Sequence, residues 1–224
     1  MKGYFITGTD TDVGKTVVTA GLVEAFNKRG TPTVGLKPVA TGSEGNKKGM
    51  SPDTEFLMKN AKVELPKEEV TIYSFAPPVS PHIAAVHADA RIEMEKLVTS
   101  IKKTAKKVDM VIVEGVGGWL VPLNESETVA DLAVALQLPV IVVVSIKLGC
   151  INHAALTMDA IRGRGLKIAG WVANLRHVDT PNVPDVINTL VQNAADAPML
   201  GIIPPMRSVT PVAAARHINL DLLV

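Results

Sequence analysis

The sequence contains a single cysteine, Cys150, among 224 residues. An internal disulfide is therefore impossible, and a zinc cluster built from several cysteines is excluded. Such sparse use of cysteine is typical of proteins from a reducing compartment. The N-terminus also lacks the long apolar segment that a secretory signal needs. We therefore expect a cytoplasmic protein.

Long hydrophobic runs and an excess of either charge are also absent. The longest apolar runs, such as Val140 to Val144, have the length of a strand, whereas a membrane helix needs about 20 residues. Lys and Arg together number 23 and Asp and Glu 22, which gives a formal net charge of +1. A general nucleic-acid-binding protein is usually more basic. We expect neither a membrane nor a nucleic acid as partner, so any affinity for polyanions must come from a local site.

The composition, with 47% hydrophobic and 20% charged residues, is that of a globular protein with a sizeable core. Apolar runs without polar alternation predict buried strands of a parallel sheet. They are Tyr4 to Thr7, Met110 to Glu114, Val140 to Ile146 and Ile168 to Asn174, with Thr33 to Lys37 and Met199 to Ile203 as weaker candidates. Apolar residues at helical spacing lie between these strands.

Alternating strands and helices predict an α/β fold, a doubly wound and mainly parallel sheet with helices on both faces. We expect one domain from residue 1 to residue 224. Ligand-binding loops in such a sheet lie at the carboxyl ends of the strands. The stretch from Ser43 to Pro81, which includes Gly45, is rich in glycine and proline. It is interpreted as loops with one short helix, Asp53 to Asn60, near the active edge.

The strongest motif is GTDTDVGKT, from Gly8 to Thr16, between a predicted strand and an amphipathic helix. That context is typical of a phosphate-binding loop, or P-loop, whose backbone N–H groups face an anion at a helix N-terminus. Lys15 adds a positive charge, and the Thr16 hydroxyl can bind Mg²⁺. Five residues separate Gly8 from Gly14, where the common pattern has four. The alternative is a glycine turn with a chance Gly-Lys-Thr, but the flanking strand and helix favour the P-loop.

Two other predicted strands end in charged residues. Glu114 ends one strand before the loop Gly115–Gly118, and P-loop NTPases place a second acid near Mg²⁺ in this way. The alternative is a solvated acid at an ordinary turn. Lys37 ends another strand, because Pro38 forces the chain to leave it. This places the lysine at the carboxyl edge of the sheet, although a solvated lysine is the commoner outcome.

Two further positions could act at helix N-termini. The local sequence favours Asp53 as a helix N-cap, a role that aspartate often takes. The run Gly149, Cys150, Ile151 and Asn152 precedes a helix that extends to about Arg162, and the start of that helix is a second possible anion site. We interpret Cys150 itself as a small packed residue, because no neighbouring base favours a thiolate.

The sequence resembles the dethiobiotin synthetase family. The resemblance is carried, in the family's order and over nearly the whole chain, by GTDTDVGKT, GLKPVATGSE, SPHIAA, VEGVGGWLVPL, KLGCINHA, GWVAN and LGIIP. It implies a P-loop NTPase-like fold and a homodimer. It also implies conversion of 7,8-diaminopelargonate, CO₂ and MgATP to dethiobiotin, ADP and phosphate, through a carbamate and a carbamic–phosphoric anhydride.

The resemblance further implies roles for individual residues. Lys15 and Lys37 would be catalytic, and Thr16, Asp53 and Glu114 would hold Mg²⁺. Contacts to ATP would come from Asp12, Val13, Gly14, Lys15, Thr16, Val17, Asp53, Glu114, Gly115, Val116, Gly117, Asn174, Pro204, Pro205 and Met206. The diamine would bind near the subunit boundary, against Thr41. Among the other expected contacts of the diamine is Gly118, and the free N–H groups at the helix start lead us to add Gly149, Cys150, Ile151 and Asn152.

Three other functions share parts of this pattern. A nucleotide-driven switch of the ParA or MinD type has the same broad fold, but such proteins carry an early second lysine in the P-loop, where this chain has Asp10. An amidoligase of cobalamin synthesis needs a source of amide nitrogen, usually a glutaminase domain, for which 224 residues leave no room. A non-enzymatic anion-binding module would not need Lys37, Asp53 and Glu114 together.

Overall fold

The computed structural model describes residues 1–44, 49–176, 180–194 and 196–223. Its strands are β1 (Gly3–Gly8), β2 (Thr33–Leu36), β3 (Val39–Ala40), β4 (Tyr73–Ser74), β5 (Met110–Glu114), β6 (Val140–Ser145), β7 (Ile168–Asn174) and β8 (Met199–Ile203). Within the described ranges, six of them form one parallel sheet in the order β2–β5–β1–β6–β7–β8. The other two, β3 and β4, pair in parallel as a separate small sheet.

The helices connect these strands. They are α1 (Lys15–Lys28), α2 (Pro52–Lys59), α3 (Lys67–Val70), α4 (Pro81–His87), α5 (Met94–Ala105), α6 (Val129–Leu136), α7 (Cys150–Gly163), α8 (Val183–Asn193) and α9 (Pro211–Ala215), with a 3₁₀ turn at Leu220–Leu222. No helix in the described part of the chain is both long enough and apolar enough to cross a membrane.

The six predicted strands are confirmed, and each observed boundary lies within one residue of the predicted one. The interpretation of the stretch from Ser43 to Pro81 was incomplete. It contains α2 as predicted, but also α3 and β4. Elements of two to four residues are too short to produce a periodic signal. Residues 45–48, including Gly45, lie outside the described part of the chain.

Both faces of the main sheet are covered, as the fold class predicts. All six residues of β6 are buried. Val140, Val142 and Val144 join a core cluster with apolar residues of α5, α6 and α7, whereas Ile141 and Val143 join a second cluster with residues of α1 and α9. A strand that is buried on both faces needs apolar residues at every position, which explains why these runs show no polar alternation.

The order of the strands brings the charged motifs together. Strand β5 lies between β2 and β1 in the sheet, and all three run in parallel. Lys37 directly follows β2, Glu114 is the last residue of β5, and the P-loop follows β1. Their side chains therefore meet at one edge of the sheet, at the carboxyl ends of the strands, where α/β proteins bind their ligands.

Candidate active site

The P-loop connects β1 to α1 and is shaped by Gly14. This residue is the N-cap of α1 and has a φ of 95°, in the left-handed region that glycine adopts readily. A Cβ at Gly14 would lie 2.0 Å from Asn174 Nδ2, and that same amide donates a hydrogen bond to the Val13 carbonyl at 2.8 Å. The first turn of α1 contains no acidic residue. Its N–H groups are thus free to face an anion.

Lys15 lies inside the loop. Its Nζ donates a hydrogen bond to the carbonyl oxygen of Asp10 at 2.9 Å, and its side chain is buried. Burial lowers the pKa of Lys15 to about 8, and the nearby charge of Lys37 acts in the same direction. Since that pKa is above 7, Lys15 keeps its positive charge at neutral pH.

Lys37 forms a buried ion pair with Glu114, and neither the pair nor its geometry was predicted from the sequence. Lys37 Nζ lies 2.6 Å from Glu114 Oε1 and 3.0 Å from Asp53 Oδ2, and it donates to the Gly115 carbonyl at 3.1 Å. The exposed fraction of Lys37 is 3% and that of Glu114 is 0%. Burial alone would lower the pKa of Lys37, but the two carboxylates outweigh it and raise that pKa above its usual value.

Asp53 is not the helix N-cap that the local sequence favoured. The N-cap of α2 is Ser51, whose hydroxyl accepts a hydrogen bond from the Thr54 N–H at 3.2 Å. The Asp53 carboxylate points to Lys37 instead. Burial would raise the pKa of Asp53, but the charge of Lys37 and the hydrogen bond from Lys37 outweigh it and lower that pKa. Ser51 followed by Pro52 is itself an N-cap signal, and it would have freed Asp53 for another role.

Glu114 has one oxygen that is satisfied and one that is not. Its Oε1 accepts hydrogen bonds from Lys37 Nζ and, at 2.7 Å, from the Thr16 hydroxyl. Its Oε2 is buried and has no hydrogen-bond partner among the described residues. An unpartnered buried carboxylate oxygen is costly, so it calls for a ligand.

The oxygens of Glu114, Thr16 and Asp53 are hard donors that suit Mg²⁺. No group of three or more His, Cys, Asp and Glu residues within the described ranges could hold a metal by itself. A Mg²⁺ ion here would accordingly rely on the Thr16 hydroxyl and on ligand oxygens for the rest of its coordination. The oxygen donors of Thr16, Asp53 and Glu114 therefore fit a Mg²⁺ ion that is also bound by ligand oxygens.

A cleft of about 880 Å³ opens over this edge of the sheet. Most of the residues expected to bind ATP or the diamine line it, namely Asp12, Gly14, Lys15, Thr16, Val17, Lys37, Thr41, Asp53, Glu114, Val116, Gly117, Asn174, Pro204, Pro205 and Met206. Val13 and Gly115 are buried and do not line the cleft. The Val13 carbonyl accepts a hydrogen bond from Asn174, and the Gly115 carbonyl accepts one from Lys37. Gly118 does not line the cleft.

The remaining candidates lie elsewhere. Gly149 is the N-cap of α7 with a φ of 89°, Cys150 is buried, and neither these two nor Ile151 and Asn152 line the cleft of the single chain. The loop before α7 is nevertheless tied to the P-loop, because Lys147 Nζ lies 3.1 Å from Asp10 Oδ2.

Several cleft residues were missed by the sequence analysis. The segment Pro78–Pro81 lines the cleft together with Gly42, and Arg176 and Val209 line it as well. Pro78–Pro81 belongs to the stretch that the sequence predicts as loops near the active edge, although none of these four residues is predicted to contact a ligand. Arg176 and Val209 belong to no motif, so no local signal could have found them.

Comparison with known proteins places the chain among its relatives. A family model described as an AAA domain matches residues 2–213. The chain is 43% identical to the ATP-dependent dethiobiotin synthetase of Cellvibrio japonicus, over 100% of this chain and 98% of that protein. It is 46% identical to the enzyme of the same name from Nitrosospira multiformis, over 91% of this chain and 88% of that protein.

Solved structures of more distant proteins share the fold. The MinC:MinD cell division complex of Aquifex aeolicus matches with a TM-score of 0.55 at 16% identity, over 99% of this chain and 88% of the matched chain. Cobyrinic acid a,c-diamide synthase from Mycobacterium smegmatis matches with a TM-score of 0.54 at 17% identity, over 96% of this chain and 92% of that one. At such low identity these matches show a shared fold alone and carry no information on activity.

The buried ion pair makes a prediction about stability. Replacing Lys37 by methionine leaves the buried carboxyl group of Glu114 without its cationic partner, and removing one partner of a buried ion pair typically costs about 3–5 kcal/mol. We expect Lys37→Met to lower the free energy of unfolding by that amount, measured by urea titration monitored by circular dichroism. The matched control is Lys37→Met combined with Glu114→Gln, which removes both charges and should recover most of the loss. A single variant as stable as the unmodified protein would contradict the pairing.

Proposed function

Because this chain belongs to the dethiobiotin synthetase family, we propose that it converts 7,8-diaminopelargonate, CO₂ and ATP to dethiobiotin, ADP and phosphate. The observation that carries the proposal is the cluster of Lys37, Glu114 and Asp53 beside the P-loop, in one cleft with Lys15 and Thr41. An anion-binding module has no use for a buried lysine paired with two carboxylates in this way.

The reaction requires charge stabilisation and positioning rather than a nucleophile from the protein. One neutral amine adds to CO₂ and forms a carbamate with release of a proton. A carbamate oxygen then attacks the γ-phosphorus, ADP leaves, and a mixed carbamic–phosphoric anhydride forms. The second amine attacks the carbonyl carbon, closes the five-membered urea ring and expels phosphate. Holding these groups close and stabilising their negative charge supplies the catalysis.

The described residues divide this work between them. The N–H groups at the start of α1 and the Lys15 ammonium bind the phosphates of ATP. Lys37 supplies a fixed positive charge where negative charge develops between the carbamate and the γ-phosphate, and the Thr41 hydroxyl positions the diamine. Asn174 and the segment Pro204–Met206 form the pocket for the base. All of these side chains line the same cleft.

We also propose that Thr16, Asp53 and Glu114 hold Mg²⁺. The unpartnered Oε2 of Glu114 supports this role. When bound, the ion neutralises charge on the phosphate oxygens. Lys37 contacts both Glu114 and Asp53, so it orients the two carboxyl groups, and its charge lowers the pKa of Asp53.

The diamine also carries a carboxylate, several methylenes away from its amines, and this group needs an anion site of its own. We propose that the start of α7 in a partner subunit provides it. Two observations support a covered surface there: α7 begins at Gly149 without a side-chain cap, and Leu148 is 99% exposed. Leu156, on the same helix, is also exposed. A homodimer would bury these apolar side chains and bring the helix start to a neighbouring cleft.

A phosphate-release assay tests the proposed reaction. The chain with MgATP and bicarbonate should release phosphate only when 7,8-diaminopelargonate is present, in step with dethiobiotin formed, measured by mass spectrometry. Lys15→Ala serves as the inactive control, because it removes the phosphate-binding lysine. Phosphate release without diamine would favour a ParA-like switch. Binding of ATP with no turnover under any condition would favour a non-enzymatic module.

A substitution at Asp53 tests the metal site. Asp53→Asn keeps the size of the side chain but removes the charge, and Ser51 still caps α2. We expect turnover to fall and to require more Mg²⁺ for half-maximal rate. Titrating the initial rate against Mg²⁺, with Glu55→Gln as the control on the same helix, measures the effect. An unchanged Mg²⁺ requirement would remove Asp53 from the set of ligands.

A substitution at Gly149 tests the carboxylate site. A β-branched residue strains the left-handed backbone at this position, so Gly149→Val should raise KM for the diamine and leave KM for ATP nearly unchanged. Gly165→Val is the matched control, since Gly165 also has a positive φ, 73°, and open space around it.

The partner subunit's role can be checked by mixing. A mixture of Gly149→Val and Lys15→Ala subunits should recover activity, because one site in each hybrid dimer would receive both intact halves. No recovery after confirmed subunit exchange would place the whole diamine site in one chain.

A further inference from the structure

Two side chains at the end of β7 donate hydrogen bonds to consecutive carbonyl groups of the P-loop. Asn174 Nδ2 binds the Val13 carbonyl at 2.8 Å, and Arg176 Nη1 binds the Asp12 carbonyl. Arg176 is exposed and lines the cleft. Nothing in the proposed chemistry assigns it a role.

The carbonyl that Arg176 binds belongs to a residue with an unusual backbone. Asp12 has a φ of 57°, in the left-handed region that residues other than glycine rarely adopt. Such a conformation persists only where the surrounding contacts hold it. The Asp12 side chain is exposed, so packing of that side chain does not hold it.

Arg176 is well suited to hold the Asp12 carbonyl in place. Its guanidinium is permanently charged, and a hydrogen bond from a charged donor is stronger than one from a neutral donor. The stem of Arg176 also passes close to the second left-handed residue of the loop, because its Cδ lies 3.9 Å from the position that a Cβ on Gly14 would occupy. One side chain thus spans the loop from residue 12 to residue 14.

We propose that Arg176 is a positioning residue that holds Asp12 in its left-handed conformation and thereby keeps the P-loop in its phosphate-binding shape. Arg176 then affects phosphate binding through the loop and not by touching the phosphates. This inference rests on the proposed function only in taking the P-loop to bind the phosphates of ATP. Asn174, at the next carbonyl, provides the second attachment of the same loop.

The test uses magnesium tripolyphosphate, which has phosphates but no base or sugar, with adenosine as the second probe. Affinities are measured by calorimetry on the full chain. Arg176→Ala should weaken tripolyphosphate binding about fivefold, the factor expected when a loop must adopt a left-handed residue unaided. Adenosine binding should not change. Arg207→Ala, which removes an exposed arginine that does not line the cleft, controls for loss of charge alone.

The decisive measurement is repeated in two altered backgrounds. Glycine adopts a positive φ freely. In the Asp12→Gly background, Arg176→Ala should therefore weaken tripolyphosphate binding less than twofold. The Asp12→Asn background also removes the carboxylate, but asparagine lacks the backbone freedom of glycine. In that background Arg176→Ala should still weaken tripolyphosphate binding about fivefold. Melting temperatures of the variants without ligand confirm that each one is folded.

The outcomes separate the inference from the proposed function. An equal loss from Arg176→Ala in all three backgrounds would show a direct contact with the phosphates and overturn the inference. No loss in any background would also overturn it. A chain without these substitutions that binds neither tripolyphosphate nor ATP would overturn the proposed function as well.

Discussion

The buried ion pair of Lys37 with Glu114 is the interaction on which the rest of the site depends. Glu114 is fully buried at the end of β5, where a carboxylate without a partner would be strongly destabilising. Lys37 is almost fully buried at the end of β2, where the same holds for an ammonium group. Each charge is tolerated because the other lies 2.6 Å away. The pair then fixes Asp53 through Lys37 and Thr16 through Glu114, so one contact orients the side chains around the P-loop.

The sequence predicts the fold well because the relevant signals are local. A strand buried on both faces must be apolar throughout, and β5, β6 and β7 show this directly in their residues. The P-loop is likewise recognisable from contiguous residues. Lys37 and Glu114 are 77 residues apart along the chain. They pair only because β5 lies next to β2 in the sheet. Local sequence contains no information on that neighbourhood.

Asp53 and Arg176 show two ways in which local reasoning fails. Asp53 resembles an N-cap because aspartate favours that position. The N-cap of α2 is instead Ser51, two residues earlier. Once the cap is supplied, the carboxylate is free to pair with Lys37. Arg176 belongs to no motif, and its contact with Asp12 exists only because the end of β7 reaches the P-loop. In both cases a tertiary contact decides the role.

A buried ion pair is a poor way to gain stability, since apolar residues of similar volume often stabilise a core as well or better. Its presence at the base of the cleft is therefore better explained by catalysis. The site places two lysines, Lys15 and Lys37, beside two acidic residues, Asp53 and Glu114, so groups of both signs are already in place. Under the proposed function, an anionic nucleotide would add negative charge at the lysines, and a metal ion would add positive charge at the carboxyl groups. A site arranged in advance for both would need little reorganisation as charge develops during the reaction.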